Sequence, residues 1–134
     1  MSYASRMLDG FPGTKAFDSM MLAATIDGLT DCAQACSADV SDDLAERNLP
    51  DMVMCIRLCL DCTDICTAAA GVLSRQTGYD TGVASLLLEA SAAASRSCGD
   101  ECERHAPMYQ HCRVCAEACR RCERVCRDFL DVLK

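Results

Sequence analysis

Tryptophan is absent, aromatic residues make up only 4% of the chain, and 13 basic residues face 20 acidic ones, for a net charge of -7. Nucleic-acid recognition needs a basic footprint or a platform for base stacking, and the sequence offers neither. No apolar run approaches the roughly 18 or more residues that read as a membrane span. The opening residues, MSYASRMLDGFPGTKAF, have neither the apolar core of a signal peptide nor a twin-arginine pair. The chain is therefore expected to stay in the cytoplasm, with no membrane or nucleic-acid partner. No Ser/His/Asp or Cys/His/Asn arrangement stands out, and an enzyme is not expected.

What the chain does have is 13 cysteines in 134 residues. Glutathione and thioredoxin keep cytosolic thiols reduced, so this number argues for metal ligation or redox chemistry before a disulfide scaffold. The length fits one domain with a respectable core. Long stretches rich in Ala, Leu, Met, Glu and Arg, with few β-branched runs and apolar residues recurring at three and four, predict an all-α protein. Breakers divide it: Gly10, Pro12 and Gly13 precede a first long helix opening near Thr14, and Asn48-Leu49-Pro50 starts a second. Gly78 to Gly82 and then Ala106-Pro107 set off a third and a fourth. Residues 37–48 read equally as helix or loop. The division is a short N-terminal helical segment, 1–13, followed by a bundle domain, 14–134. Short connections favour antiparallel neighbours, hence an up-down-up-down four-helix bundle.

A heptad frame shows where the cysteines point. The stretch CRVCAEACRRCERVC places Cys112, Cys115, Cys119, Cys122 and Cys126 at alternating spacings of three and four, continued by Phe129 and Leu133. The second helix repeats this with Met52, Cys55, Cys59, Cys62, Cys66, Ala69 and Leu73. The first runs Leu22, Thr25, Leu29, Cys32, Cys36, and the third Ala84, Leu88, Ser91, Ser95, Cys98, Cys102, His105. Every cysteine lies on a seam. The first and third helices carry theirs toward the C-terminal end, the second and fourth from the N-terminal end onward, and in an antiparallel bundle these ends coincide. About half the axis, roughly 21 Å at 1.5 Å per residue, is then lined with sulfur and the rest is aliphatic.

Buried cysteine is ordinarily a small hydrophobe. A core of so many small side chains, however, leaves voids that cost on the order of a kcal/mol each unless something fills them. Disulfides within a helix fit poorly, because Cβ atoms at these spacings are about 5–6 Å apart where a disulfide wants about 3.5–4.5 Å. Zinc closes sites of four ligands and does not partition a continuous stripe of 13. CxxxCxxC occurs at Cys55, Cys59, Cys62 and again at Cys115, Cys119, Cys122, so an iron-sulfur or thiol redox protein is the alternative, although the ferredoxin run ending in Cys-Pro is missing. Cu(I) is soft, prefers thiolate and thioether and accepts low coordination, so neighbouring seam cysteines can clasp one ion and share sulfurs with the next.

The stretches CIRLCLDCTDIC and CRVCAEACRRCERVC, the pairs CAQAC and CGDEC, and the flanking His105 and His111 resemble the cytosolic copper storage proteins, over about Thr14 to Lys134. That resemblance implies many Cu(I) ions held inside each bundle, protection against copper toxicity, possible supply to cuproproteins through a chaperone or directly, and assembly as a homotetramer. The expected ligands are the thirteen cysteines, Cys32 to Cys126, joined at the sulfur-rich end by His105, His111 and Met108. Met52 and Met54 lie near that end without a clear assignment. Met108 is expected to open the fourth helix on its seam. Asp61, Asp64, Glu101, Glu103 and the arginines at 113, 120, 121, 124 and 127 are expected on solvated faces.

Overall fold

The computed structural model describes residues 1–133; Lys134, the last residue of the expected bundle domain, lies outside them. The helices are α1 (Tyr3–Asp9), α2 (Ser19–Leu44), α3 (Val53–Ser74), α4 (Thr81–His105) and α5 (Gln110–Leu133), with a 3-10 turn at Leu49–Met52 leading into α3. No strand occurs among the described residues.

Local chemistry sets each boundary. Helix α2 starts at Ser19 rather than near Thr14, because the Asp18 carboxylate caps it, accepting hydrogen bonds from the Met20 and Met21 amides at 2.8 and 3.4 Å. The residues before the cap instead bring Phe17 over the bundle's aliphatic end, where its ring meets Tyr79 and Phe129 edge-on at 5.3 and 5.4 Å. Residues 37–44 are helical, so α2 runs unbroken past its last cysteine. Pro50 falls in the 3-10 turn, which becomes α-helix only at Val53. Gly78 supplies the left-handed backbone (φ 64°) of the α3–α4 turn, and Asp80 then caps α4 through the Val83 amide at 3.1 Å. After α4 the His105 carbonyl accepts from the Met108 and Tyr109 amides, both at 3.0 Å, and the chain reverses into α5.

Sulfur contacts give the direction of each helix. Cys59 with Cys98 and Cys55 with Cys102 run α3 against α4; Cys32 with Cys119 and Cys36 with Cys115 run α2 against α5. Cys66 with Cys122 and Cys59 with Cys115 cross the diagonal, where α3 and α5 point the same way. The result is the expected up-down-up-down bundle. All the seam residues are buried, except that Leu133, the last residue of α5, is half-buried. Leu22, Leu73, Leu88 and Phe129 form the aliphatic base. Helix α1 lies along α2, its Leu8 buried against the core.

Candidate metal centre

All thirteen cysteines are free thiols, and none is more than 1% exposed. They converge as the heptad frame requires. Within a helix, Cys32 and Cys36, Cys62 and Cys66, and Cys98 and Cys102 approach at 3.9, 3.8 and 4.0 Å between Sγ atoms. Between helices the separations run from 3.4 Å for Cys59 and Cys98 to 4.0 Å for Cys59 and Cys115. The sulfurs thus pack against one another. Among the described residues, the sets of ligand atoms that lie mutually within 4.8 Å and are purely sulfur include Cys32/36/62/119, Cys36/98/115/119, Cys59/98/102/115 and Cys32/66/122. Since they share members, the column is continuous rather than a row of separate tetrahedra. A shared thiolate can bridge two soft ions, which suits Cu(I).

Oxygen enters the column part-way along it: the Ser95 hydroxyl sits 3.9, 3.7 and 3.9 Å from the sulfurs of Cys32, Cys62 and Cys66. At its outer limit stand two carboxylates. Asp39 and Asp43 are 1% and 0% exposed, and Asp39 Oδ2 lies 3.3, 3.4 and 3.7 Å from the sulfurs of Cys55, Cys59 and Cys102. Neither carboxylate was among the expected site residues. The signal was present, because 22, 25, 29, 32, 36, 39, 43 is one unbroken seam once α2 is extended through residues 37–44.

The two histidines reach this end by different routes. His105 is 5% exposed and its Nε2 shares a 2.8 Å hydrogen bond with Glu101 Oε2. Glu101 is therefore not on a solvated face: it is 8% exposed, held between His105 and Arg104. His111, half-buried, pairs its Nδ1 with Asp39 Oδ1 at 2.6 Å, and Tyr109 stacks on its ring. Met108 lies in the turn before α5, 69% exposed, and so does not open the helix on its seam. Met52 is buried, whereas Met54 is exposed. Asp64 and Glu103 are exposed as expected and Asp61 is half-buried, with Arg120 bound to Asp100 and Glu103 and Arg121 bound to Asp31 along the outer surface.

A four-helix bundle whose axis is filled with thiols is an unusual object, and comparison with known proteins matches it directly. The family model described as copper storage protein matches residues 18–131. The chain belongs to the copper storage protein family. It is 46% identical to the copper storage protein Ccsp from Streptomyces lividans loaded with 10 copper equivalents, with a TM-score of 0.93 over 96% of this chain and 98% of that one. The cytosolic copper storage protein from the same organism holding five coppers aligns at 50% identity and TM-score 0.82, covering 84% and 93%. An uncharacterized cysteine-rich protein of Bacillus subtilis (strain 168), YhjQ, is 32% identical over 106 residues, 79% of this chain and 93% of that protein.

In this family member the site groups have unequal acidities. Cys36, Cys66, Cys102 and Cys119 are pushed above the ordinary thiol value, first by hydrogen bonding with neighbouring sulfurs and then by burial. Cys62, Cys115 and Cys122 are pulled down by the hydrogen bonds they receive. Burial raises Asp39 to about 6 against the opposing hydrogen bond from His111. It raises Asp43 to about 9, with the hydrogen bond to Cys55 and the charge of Asp39 adding to the effect. For His111, burial lowers the pKa, but the hydrogen bond and charge of Asp39 outweigh it and the net direction is upward.

Proposed function

We propose that the chain is a non-catalytic cytosolic store that takes up many Cu(I) ions on the thiolates of Cys32, Cys36, Cys55, Cys59, Cys62, Cys66, Cys98, Cys102, Cys112, Cys115, Cys119, Cys122 and Cys126. The observation that carries this reading is the continuous sulfur column, with neighbouring Sγ atoms 3.4–4.0 Å apart. Two sulfurs flanking one ion at bonds a little over 2 Å sit about 4–5 Å apart, so small rotamer changes admit bare ions along the whole column. An iron-sulfur cluster would instead have to force the thiols apart by the width of an inorganic core. The Streptomyces lividans relatives, described as loaded with copper and as cytosolic, support both the cargo and the compartment.

Ions enter and leave at the end where His105 and His111 lie, with Met108 exposed beside them as a further soft ligand. Residues 14–134 form the storage unit and residues 1–13 a leading segment. The store assembles as a tetramer; in support, α3 and α4 frame a largely apolar groove lined by Leu58, Ile65, Ala90 and Ala94, and Leu86 on α4 is exposed. Released copper passes to a chaperone or a cuproprotein. Elemental analysis of protein purified from copper-supplemented cells tests the cargo: copper is expected in several-fold molar excess over chain, colourless and with little iron. A brown protein with a few irons per chain and little copper would overturn the reading.

A further inference from the structure

The helices that wall the sulfur column are not equally fastened to one another. Consecutive arginines tie α5 to both of its neighbours. Arg120 reaches α4, binding Asp100 at 2.6 Å and Glu103 at 2.8 Å, and its guanidinium lies over Gly99, where a Cβ would come within 3.1 Å of it. Arg121 reaches α2 and binds Asp31 at 2.6 Å. On the α2 side the helices also close tightly: Gly28 packs against Val125, and the Thr25 hydroxyl lies 3.5 Å from the Val125 carbonyl. Between α2 and α3, the Thr63 hydroxyl is 3.4 Å from the Ala33 carbonyl, and Asp39 accepts from Cys55 and Cys59.

The seam between α3 and α4 has no such tie. Among the described residues no ion pair joins α3 to another helix, since Arg57 pairs with Asp61 on α3 itself. The hydrogen-bonding groups that meet across this seam belong to the column: Cys55 and Cys59 meet Cys98 and Cys102, while Cys62 and Cys66 meet the Ser95 hydroxyl. Along the outer edge the two helices are not closed on each other, because Leu58 and Ile65 of α3 and Ala90, Ala93 and Ala94 of α4 line a groove there. The same seam holds the shortest sulfur separation of the column, 3.4 Å between Cys59 and Cys98.

Two sulfurs that share one ion sit about 4–5 Å apart. A first ion reaches that spacing through rotamer changes alone. At full load every thiol must give way, and in a close-packed interior a sulfur that moves off one neighbour meets another. The walls then have to part, and they part where the fastening is weakest. We infer that filling the column spreads the bundle along the α3–α4 seam, while α5, held to α4 by Arg120 and to α2 by Arg121, serves as the fixed frame. This rests on the copper-storage reading and adds which wall moves. The displacement is on the order of 1 Å, the difference between the present sulfur separations and those that flank an ion.

The test compares crystal structures of the full-length protein, metal-free and saturated with Cu(I), superposed on α5. The separation of the α3 and α4 axes should grow by about 1 Å on loading, while the α4–α5 and α2–α5 separations stay as they are. Copper counted in the loaded crystals by anomalous scattering keeps the two readings apart. A full load with every seam unchanged, or with the largest opening at α4–α5 or α2–α5, overturns this inference and leaves storage standing. One or two ions per chain at saturation overturns both. A second arm asks whether the ties choose the seam. In the Arg120→Gln, Arg121→Gln double variant, shown to be folded by circular dichroism, loading should also part α5 from α4 or α2. A spread still confined to the α3–α4 seam in that variant would contradict the assignment of α5 as the frame.

Discussion

Asp43 is the residue whose burial has the clearest thermodynamic consequence. In metal-free protein its carboxyl holds its proton up to about 9, whereas in the unfolded chain it ionises near about 4. Below the lower value both states are protonated and the group contributes no pH dependence. As pH rises between the two values the unfolded chain releases a proton that the folded chain retains, so folding becomes progressively less favourable. Asp43→Asn removes this penalty. The variant should therefore be more stable than the parent at pH 8, with a gain that shrinks toward pH 5, as urea unfolding of both metal-free proteins would reveal. A gain independent of pH, or a loss at pH 8, would show that the carboxyl is not held protonated. Asp39 and Asp43 were missed in the sequence because acidic side chains are ordinarily placed on solvated faces. Here the seam spacing was the better guide, since position on the heptad decides burial before residue type does.

Among the helices, the close approach of α2 and α5 rests on a missing side chain. A Cβ at Gly28 would come within 2.6 Å of Val125 Cγ2. Valine is stiff at χ1 and cannot swing clear. Gly28→Ala gains up to about 1 kcal/mol of helix propensity but forces overpacking that typically costs about 1–3 kcal/mol. A net loss of about 1 kcal/mol is expected, readable as a lower urea midpoint, and a raised midpoint would mean that the helices separate freely. The helices themselves were legible from periodicity, and all four seams, Leu133 at the end of α5 apart, are buried as the 3-4 spacing requires. Their ends were less so. Asp18 moved the start of α2 to Ser19 because a cap is a local hydrogen-bond event that periodicity does not report. Met108 left the seam because the His105 carbonyl closes a turn there. Glu101 is buried because His105, one turn on, draws its carboxylate inward.

For the whole molecule, the division of the axis matters most. Leu22, Leu73, Leu88 and Phe129 give the bundle a conventional core at one end, while sulfur packs on sulfur at the other. Such a bundle does not depend on its cargo to fold, unlike a zinc finger, whose folding is driven by the ion. Metal-free protein should keep its far-ultraviolet helical signal and unfold cooperatively on heating, and a largely unfolded chain that becomes helical only when Cu(I) is added would refute this. Phe129→Ala should cost about 3–5 kcal/mol of that metal-free stability, because the ring closes the aliphatic end. The most direct measurement remains stoichiometric titration of the reduced protein with Cu(I) against a competing chromophoric chelator. Thirteen buried thiols that share ions by bridging predict uptake on the order of ten Cu(I) per chain before the chelator colours. Saturation at one or two ions would contradict a store.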